Sequence, residues 1–125
     1  MSTKTIADRL IELCGRGDWK QAQDELFHRD AVSIEPEGNP WAVAKGMDAI
    51  RKKADQWKHM VVEVHENKVS DPLVAENFFA VTMVTDSTMK EMGRIQFEQL
   101  CIYEVVDDKI VREQFFYTIP EQPKA

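Results

Sequence analysis

Cysteine is scarce: Cys14 and Cys101 are the only two in 125 residues. That excludes a disulfide framework, and neither cysteine has a partner at metal-ligand spacing. A single Cys14–Cys101 bridge stays open beside two buried, reduced thiols, and the second reading suits a cytoplasmic protein better. Histidine is scarce too. His28, His59 and His65 are not spaced for zinc, so no structural metal is expected. Glycine and proline number five each, with no repeat, low-complexity tract or linker, so one domain over residues 1–125 is expected. No apolar run approaches a membrane span. The opening MSTKTIADRL carries charges where a signal peptide needs an apolar stretch, and no such peptide is expected. Basic residues are outnumbered 16 to 22, for a net charge of −6. That leaves no basic face for nucleic acid or an anionic membrane, and the acidity reads as solubility. There is no glycine-rich phosphate loop either, so no cofactor is expected.

What is present is a pattern of strands. From Gly93 to Thr118 the sequence reads as two strands and a tight turn. Ile95, Phe97, Cys101, Tyr103 and Val105 alternate with Arg94, Gln96, Glu98 and Glu104, the period of a half-buried strand. Asp107 and Asp108 interrupt it as turn residues do, and Ile110 to Tyr117 reads as the returning strand. Two such strands cannot bury an apolar face alone. The earlier chain must cover them.

That cover is legible in order. Ile6, Leu10, Leu13 and Cys14 share a helical face, with Ser2 or Thr3 as the cap and Gly15 and Gly17 as the stop. Asp18 caps a second helix, with Gln21 three residues on and Trp19, Ala22 and Leu26 as the apolar face. A short strand is expected at Ala31 to Glu35, then a loop forced by Pro36, Gly38 and Pro40. Trp41, in that loop, either plugs the core edge or lids a pocket. A third helix from Met47 to Trp57 places Met47, Ile50, Ala54 and Trp57 opposite a solvated face of Asp48, Arg51, Lys52 and Asp55. Val61 to Val69 and Val74 to Thr88 read as two long strands separated by Ser70, Asp71 and Pro72. The second is apolar on both faces (Phe78, Phe79, Val81, Met83, Val84), which suits a central strand. Helices followed by an antiparallel meander make an α+β domain. Its three N-terminal helices pack in the concave face of a curved, mainly antiparallel sheet, a cone with a pocket at its open end.

Four stretches in this order resemble the SnoaL-like branch of the nuclear transport factor 2-like superfamily. They are Arg16-Gly17-Asp18-Trp19, Phe27-His28-Arg29-Asp30-Ala31-Val32, Lys45-Gly46-Met47-Asp48-Ala49-Ile50, and Tyr103 through Tyr117. The resemblance covers nearly the whole chain and implies the cystatin-like cone. It implies no single activity, because the superfold hosts isomerases, cyclases, epoxide hydrolases, dehydratases and non-catalytic proteins. It also implies a homodimer through the outer sheet face. Leu100 and Ile102, flanked by Glu98 and Glu104, would suit that interface if their face is the outer one.

Candidate site residues follow from the same comparison and from the apolar faces. Glu35, just before Pro36, matches the place where ketosteroid isomerases of the superfamily carry an Asp-Pro general base. A carboxylate at the mouth of an apolar cone can move a proton beside a carbonyl; a solvated loop-edge glutamate is the other reading, and Glu37 is expected in solvent. Those isomerases use a tyrosine and a protonated aspartate as oxyanion donors. The matching places here fall on Leu10 and near Cys101, and neither is a strong donor. Gln99 lies on a face with Phe97, Cys101 and Tyr103, and Glu113 on one with Val111, Phe115 and Tyr117. An unpaired polar group there costs on the order of 1–3 kcal/mol. Gln99 and Glu113 therefore line a pocket or pair with each other, unless the register turns Glu113 to solvent. Glu35 and Glu113 are the catalytic candidates. Trp41, Trp57, Phe97, Gln99, Cys101, Tyr103, Phe115 and Tyr117 are the substrate-binding candidates. Glu63 with His65 reads as a wet-face pair, and Arg94-x-Gln96-x-Glu98 only partly matches an epoxide-hydrolase pattern. Two functions stand. One is a small-molecule-binding SnoaL-like protein acting as a cofactor-independent isomerase or cyclase-like lyase on a hydrophobic carbonyl compound. The other is a non-catalytic apolar-ligand-binding or dimeric interaction module.

Overall fold

A computed structural model describes residues 2–39 and 41–118 of the chain. Helix α1 (Thr3–Gly15) begins where the Ser2 hydroxyl accepts the Thr5 N–H at 3.1 Å and stops before Gly17, whose φ is +77°. Helix α2 (Trp19–Leu26) starts at Asp18, whose carboxylate accepts the Gln21 N–H. Both caps are those expected from sequence.

Seven strands follow α2, interrupted by one more helix: β1 (Phe27–Ile34), β2 (Val43–Lys45), α3 (Met47–Met60), β3 (Val61–Val69), β4 (Leu73–Ala75), β5 (Phe78–Met89), β6 (Gly93–Val106) and β7 (Lys109–Phe116). They form one sheet in the order β2-β1-β7-β6-β5-β3, with β4 also paired to β5. Every pairing is antiparallel except β1 with β7, which is parallel. The result is the expected α+β cone, with a mixed sheet.

Three boundaries differ from the sequence reading. The strand expected from Ala31 begins four residues earlier, at Phe27. His28, Arg29 and Asp30 are all exposed, so the alternation that marks a strand is missing there. The stretch read as one strand from Val74 to Thr88 is two, because Glu76 and Asn77 make a turn with Glu76 at φ +55°. No glycine or proline signals that turn. No element was expected at the three residues of β2, which pair with β1 from Val32↔Lys45 to Ile34↔Val43.

The core joins α1 to the middle of the sheet. Ile6, Leu10 and Leu13 are at most 1% exposed and meet Phe79, Val81, Cys101 and Tyr103. Each such side chain contributes about 1.5–3 kcal/mol on burial. Cys14 and Cys101 are both free and buried, and burial pushes the Cys14 thiol up to about 12. The Asp107-Asp108 turn has both residues at positive φ, +49° and +65°, the geometry that matches the twist of a tight hairpin.

Candidate functional site

The site lies where β1 and β7 run parallel. β1 turns Ala31 and Ser33 inward, and Glu35 follows immediately after the strand. On β7, Val111 is the extra residue of a bulge between the pairs Glu104↔Arg112 and Val105↔Ile110. The bulge sends Ile110 rather than Val111 into the core, correcting the face drawn from sequence, and keeps Glu113 turned inward. Ser33 and Glu113 are Cα partners across the two strands. Helix α3 supplies the third element. Lys53 sits three residues after Ile50 and four before Trp57, on the helix's inner face.

These residues form one chain of hydrogen bonds whose direction is fixed by groups that can only donate. The Trp41 backbone N–H donates to Asn39 Oδ1 at 2.8 Å, so the Asn39 amide nitrogen faces the other way. That nitrogen donates to Tyr117 Oη at 2.9 Å. Tyr117 in turn donates its hydroxyl proton to Glu35 Oε2 at 2.8 Å. From the other side the Lys53 ammonium, which has no lone pair, donates to Glu35 Oε1 at 3.2 Å and to Ser33 Oγ. Ser33, having accepted from Lys53, donates to Glu113 Oε1 at 2.8 Å. Glu35 therefore collects a donor on each oxygen.

Burial raises the pKa of Glu113, Lys53 and the Ser33 hydroxyl pull the other way, and the neighbouring Glu35 charge adds to the rise. The Tyr117 hydroxyl is also pushed up, first by burial and then by its bond to Glu35. The two carboxyls thus share one lysine but sit in unlike surroundings, the condition under which paired acids divide roles.

An open groove of about 620 Å³ reaches this chain. Glu35, Pro36, Ala42, Val43, Phe115, Phe116 and Tyr117 are among its walls. Phe97 packs edge-on against Tyr117, with ring centres 4.6 Å apart, and Lys53 lies 5.1 Å from the Phe115 ring centre. Of the expected substrate-binding residues, Phe115 and Tyr117 border the groove and Phe97 supports it. Trp41 lends its N–H to Asn39. Trp57 meets Trp19 edge-on at 5.7 Å, away from the groove walls. Cys101 and Tyr103, at 0% and 2% exposed, pack in the core, where Tyr103 stacks on Phe79. Gln99 is half-buried, and its partner on β5 is Met83. Glu113 is neither turned to solvent nor opposite Gln99; it faces Tyr103 on β6 and bonds Ser33. Glu37 is exposed, as expected.

Two residue sets lie elsewhere. His65 Nε2 is 2.7 Å from Thr88 Oγ1 and its Nδ1 is 3.7 Å from Glu63, with Glu63 and His65 both exposed. Arg94 makes two bonds to Asp86, at 3.0 and 2.8 Å, which hold the Asp86 carboxyl below its usual range. Arg94 is thus tied to a β5 aspartate rather than to Glu98.

Lys53, Ser33 and Asn39 were missed from sequence. The signal for Lys53 was its position between Ile50 and Trp57 on an apolar helix face. For Ser33 it was the period of two from Ala31 to Glu35. Asn39 gave none, because a polar residue in a Pro-Gly loop is ordinary.

A mixed seven-stranded sheet wrapped on three helices, with a carboxylate at its open end, defines the cystatin-like α+β cone. The chain belongs to the SnoaL-like domain family, whose model matches residues 1–117. A candidate SnoaL-like polyketide cyclase from Mesorhizobium loti is 33% identical, with a TM-score of 0.88, covering 94% of this chain and 100% of that one. A cystatin-like-fold protein of unknown function from Xanthomonas campestris is 16% identical, with a TM-score of 0.78 and coverage of 93% and 90%. A ketosteroid isomerase-like-fold protein from Catenulispora acidiphila, solved with trimethylamine, is 15% identical, with a TM-score of 0.73 and coverage of 91% and 85%. The last two likenesses are of fold. No curated protein matches the chain in sequence.

Proposed function

We propose that the protein is a cofactor-independent isomerase or cyclase-like lyase that removes a proton beside a carbonyl group, with Glu35 as the general base. The single observation that carries this is the state of Glu35. It is a carboxylate held on both oxygens by donors, at the wall of a groove otherwise lined mainly by apolar side chains. Glu35 takes the proton from the α-carbon. The C–H electron pair forms the C=C bond of an enolate, and the carbonyl π pair moves to oxygen. In a β,γ-unsaturated carbonyl compound the enolate is a dienolate, and return of the proton from Glu35 to its γ-carbon completes an isomerisation. In a ring closure the enolate carbon attacks a second carbonyl carbon, and the alkoxide formed takes the proton back from Glu35. Lys53 holds Glu35 in place. Glu113, its pKa raised by burial, lies behind Ser33 and accepts a hydrogen bond from its hydroxyl. The substrate is a hydrophobic carbonyl compound sized to the groove.

The test is a thermal-shift screen of steroids, aromatic polyketides, terpenoids and fatty acids, repeated on Glu35→Gln. A ligand at a hundredfold excess over Kd adds about 2.7 kcal/mol of stability. A hit converted by the wild type and not by Glu35→Gln supports the reading. Turnover unchanged in Glu35→Gln removes Glu35 from the mechanism.

A second copy of the chain is the partner we propose. Phe78, Leu100 and Phe116 are 43%, 40% and 44% exposed. They lie on the sheet face opposite the core, beside Ile102. Glu104 and Arg112 are paired neighbours on this face, so a two-fold axis can set each on its opposite in the other copy. Leu100→Glu is expected to convert a dimer to a monomer in sedimentation; a wild-type monomer refutes the proposal.

A further inference from the structure

We propose that Tyr117 is the hydrogen-bond donor to the substrate's carbonyl oxygen, that Asn39 positions it, and that the substrate carries its acidic C–H next to that carbonyl. The inference rests on Glu35 as base and supplies what that reading lacks. An enolate needs a donor at its oxygen, preorganised before charge develops. The two positions from which sequence comparison would draw one hold Leu10 and Cys101, 1% and 0% exposed and packed in the core.

Tyr117 is a donor on the groove itself, as is the Gln114 amide, but Tyr117 is the one that touches Glu35. It shares the groove wall with Glu35, and its Oη is 2.8 Å from Glu35 Oε2. In an enolisable compound the carbonyl oxygen and the α-carbon are separated by one atom. A base and a donor that already touch can therefore face the two together. The ring packs edge-on against Phe97, and rotation about the C–O bond can re-aim the hydroxyl proton.

Asn39 sets what that rotation can do. Its amide is oriented by the Trp41 N–H, so its nitrogen donates to Tyr117 Oη and the phenol's proton is free to point elsewhere. A hydroxyl that accepts one hydrogen bond is polarised into a stronger donor. In the empty site that proton rests on Glu35. Once Glu35 has taken the substrate's proton its charge is gone, and the enolate oxygen is the stronger acceptor. The Tyr117 proton then follows the charge. Lys53 is not one of the groove walls and stays on Glu35 and Ser33 as the counter-ion.

The test uses 2-naphthol, whose ionised form carries an enolate-like oxygen on a planar bicyclic frame and has its own absorbance. Glu35→Gln is the host, because a neutral residue there imitates the base after it has taken its proton. The host is expected to bind the probe as naphtholate at a pH where free 2-naphthol is neutral. Adding Tyr117→Phe, which keeps the ring against Phe97, is expected to weaken naphtholate binding at least about tenfold. Adding Asn39→Ala instead is expected to give a smaller loss in the same direction, with melting temperature as the check on folding. A host that does not bind the probe, or naphtholate binding indifferent to Tyr117→Phe, overturns the proposal. Deuterium exchange at the α-carbon of 2-tetralone, compared between wild type and Glu35→Gln, reports on the base alone. Exchange indifferent to Glu35→Gln with Tyr117-dependent naphtholate binding sinks the Glu35 reading and not the donor.

Discussion

The β5–β6 ribbon and the β1–β7 pair are built to different rules. β5 and β6 pair in unbroken antiparallel register from Phe78↔Glu104 to Met89↔Gly93. Phe79, Val81, Cys101 and Tyr103 turn inward from them as an apolar cluster, with Thr85 and Ser87 buried farther along β5. β1 and β7 pair in parallel, with a break in register between Phe27 and Val32 and a bulge beside Val111. Their inward residues include the buried polar pair Ser33 and Glu113 beside the apolar Ala31 and Ile110. Hydrophobic burial holds the ribbon together. At the other end a chain of directed hydrogen bonds offsets the cost of buried polar groups, and the apolar groove opens there. The regular part carries stability, and the irregular part carries the carboxylate that could do chemistry.

Changes at each end should separate stability from chemistry. The largest effect is expected from Phe79→Ala in the ribbon, a loss of about 3–5 kcal/mol in urea unfolding. What remains folded should bind groove ligands as before, and loss of binding in the folded fraction would count against the division. Lys53→Met at the other end should cost about 1–3 kcal/mol, because Glu35 and Ser33 lose their shared donor. Lys53→Arg should recover part of that loss.

Next comes a pH effect at Glu113. Its folded pKa is raised, so the folded state holds a proton that the unfolded state gives up more readily. The stabilisation is full below the ordinary carboxylate value of 4.5 and is lost as pH rises through the raised folded value. The slope for one proton is at most about 1.4 kcal/mol per pH unit. Glu113→Gln keeps an oxygen for Ser33 without titrating. Urea melts should show it close to wild type at pH 4 and more stable than wild type at pH 8. A wild type that gains stability on Glu113's account over that range contradicts the assignment.

Glu25 has the opposite sign. The Arg9 guanidinium, bonded at 2.6 and 2.9 Å, holds its carboxyl down to about 2. Its contribution is present above the ordinary value of 4.5 and is lost as pH falls toward 2. The smallest effect is expected from Arg94→Ala. Its partner Asp86 is on the surface, so any change in a melt should be slight and should vanish in 1 M salt.

How much of this was legible follows the same division. β6 follows from alternation, because one of its faces meets the core and the other does not, and Asp107-Asp108 marks the turn into β7. The two helix caps follow from side-chain oxygens at the right offsets. At the β1–β7 end, sequence reading reached Glu35, through its place before Pro36 and a family resemblance. It did not reach Lys53 and left Glu113 undecided. The bulge at Val111 changes which β7 residues face in, and a bulge has no periodic signature. Lys53 was hidden because lysine on a helix normally faces solvent, and only its spacing from Ile50 and Trp57 argues otherwise. A parallel pairing between the first and last strands is a contact across some eighty residues of sequence, which no local pattern encodes.

The most direct test of Glu35 as a base is the rate of deuterium exchange at the α-carbon of 2-tetralone in D2O, with wild type and Glu35→Gln compared at equal folded concentration. A general base contributes about 10²- to 10⁴-fold. Wild type is expected to accelerate exchange, and Glu35→Gln to lose at least about a hundredfold of that acceleration while keeping its melting temperature within a few degrees. Equal exchange by the two proteins would contradict the assignment and leave the groove as a binding site without chemistry.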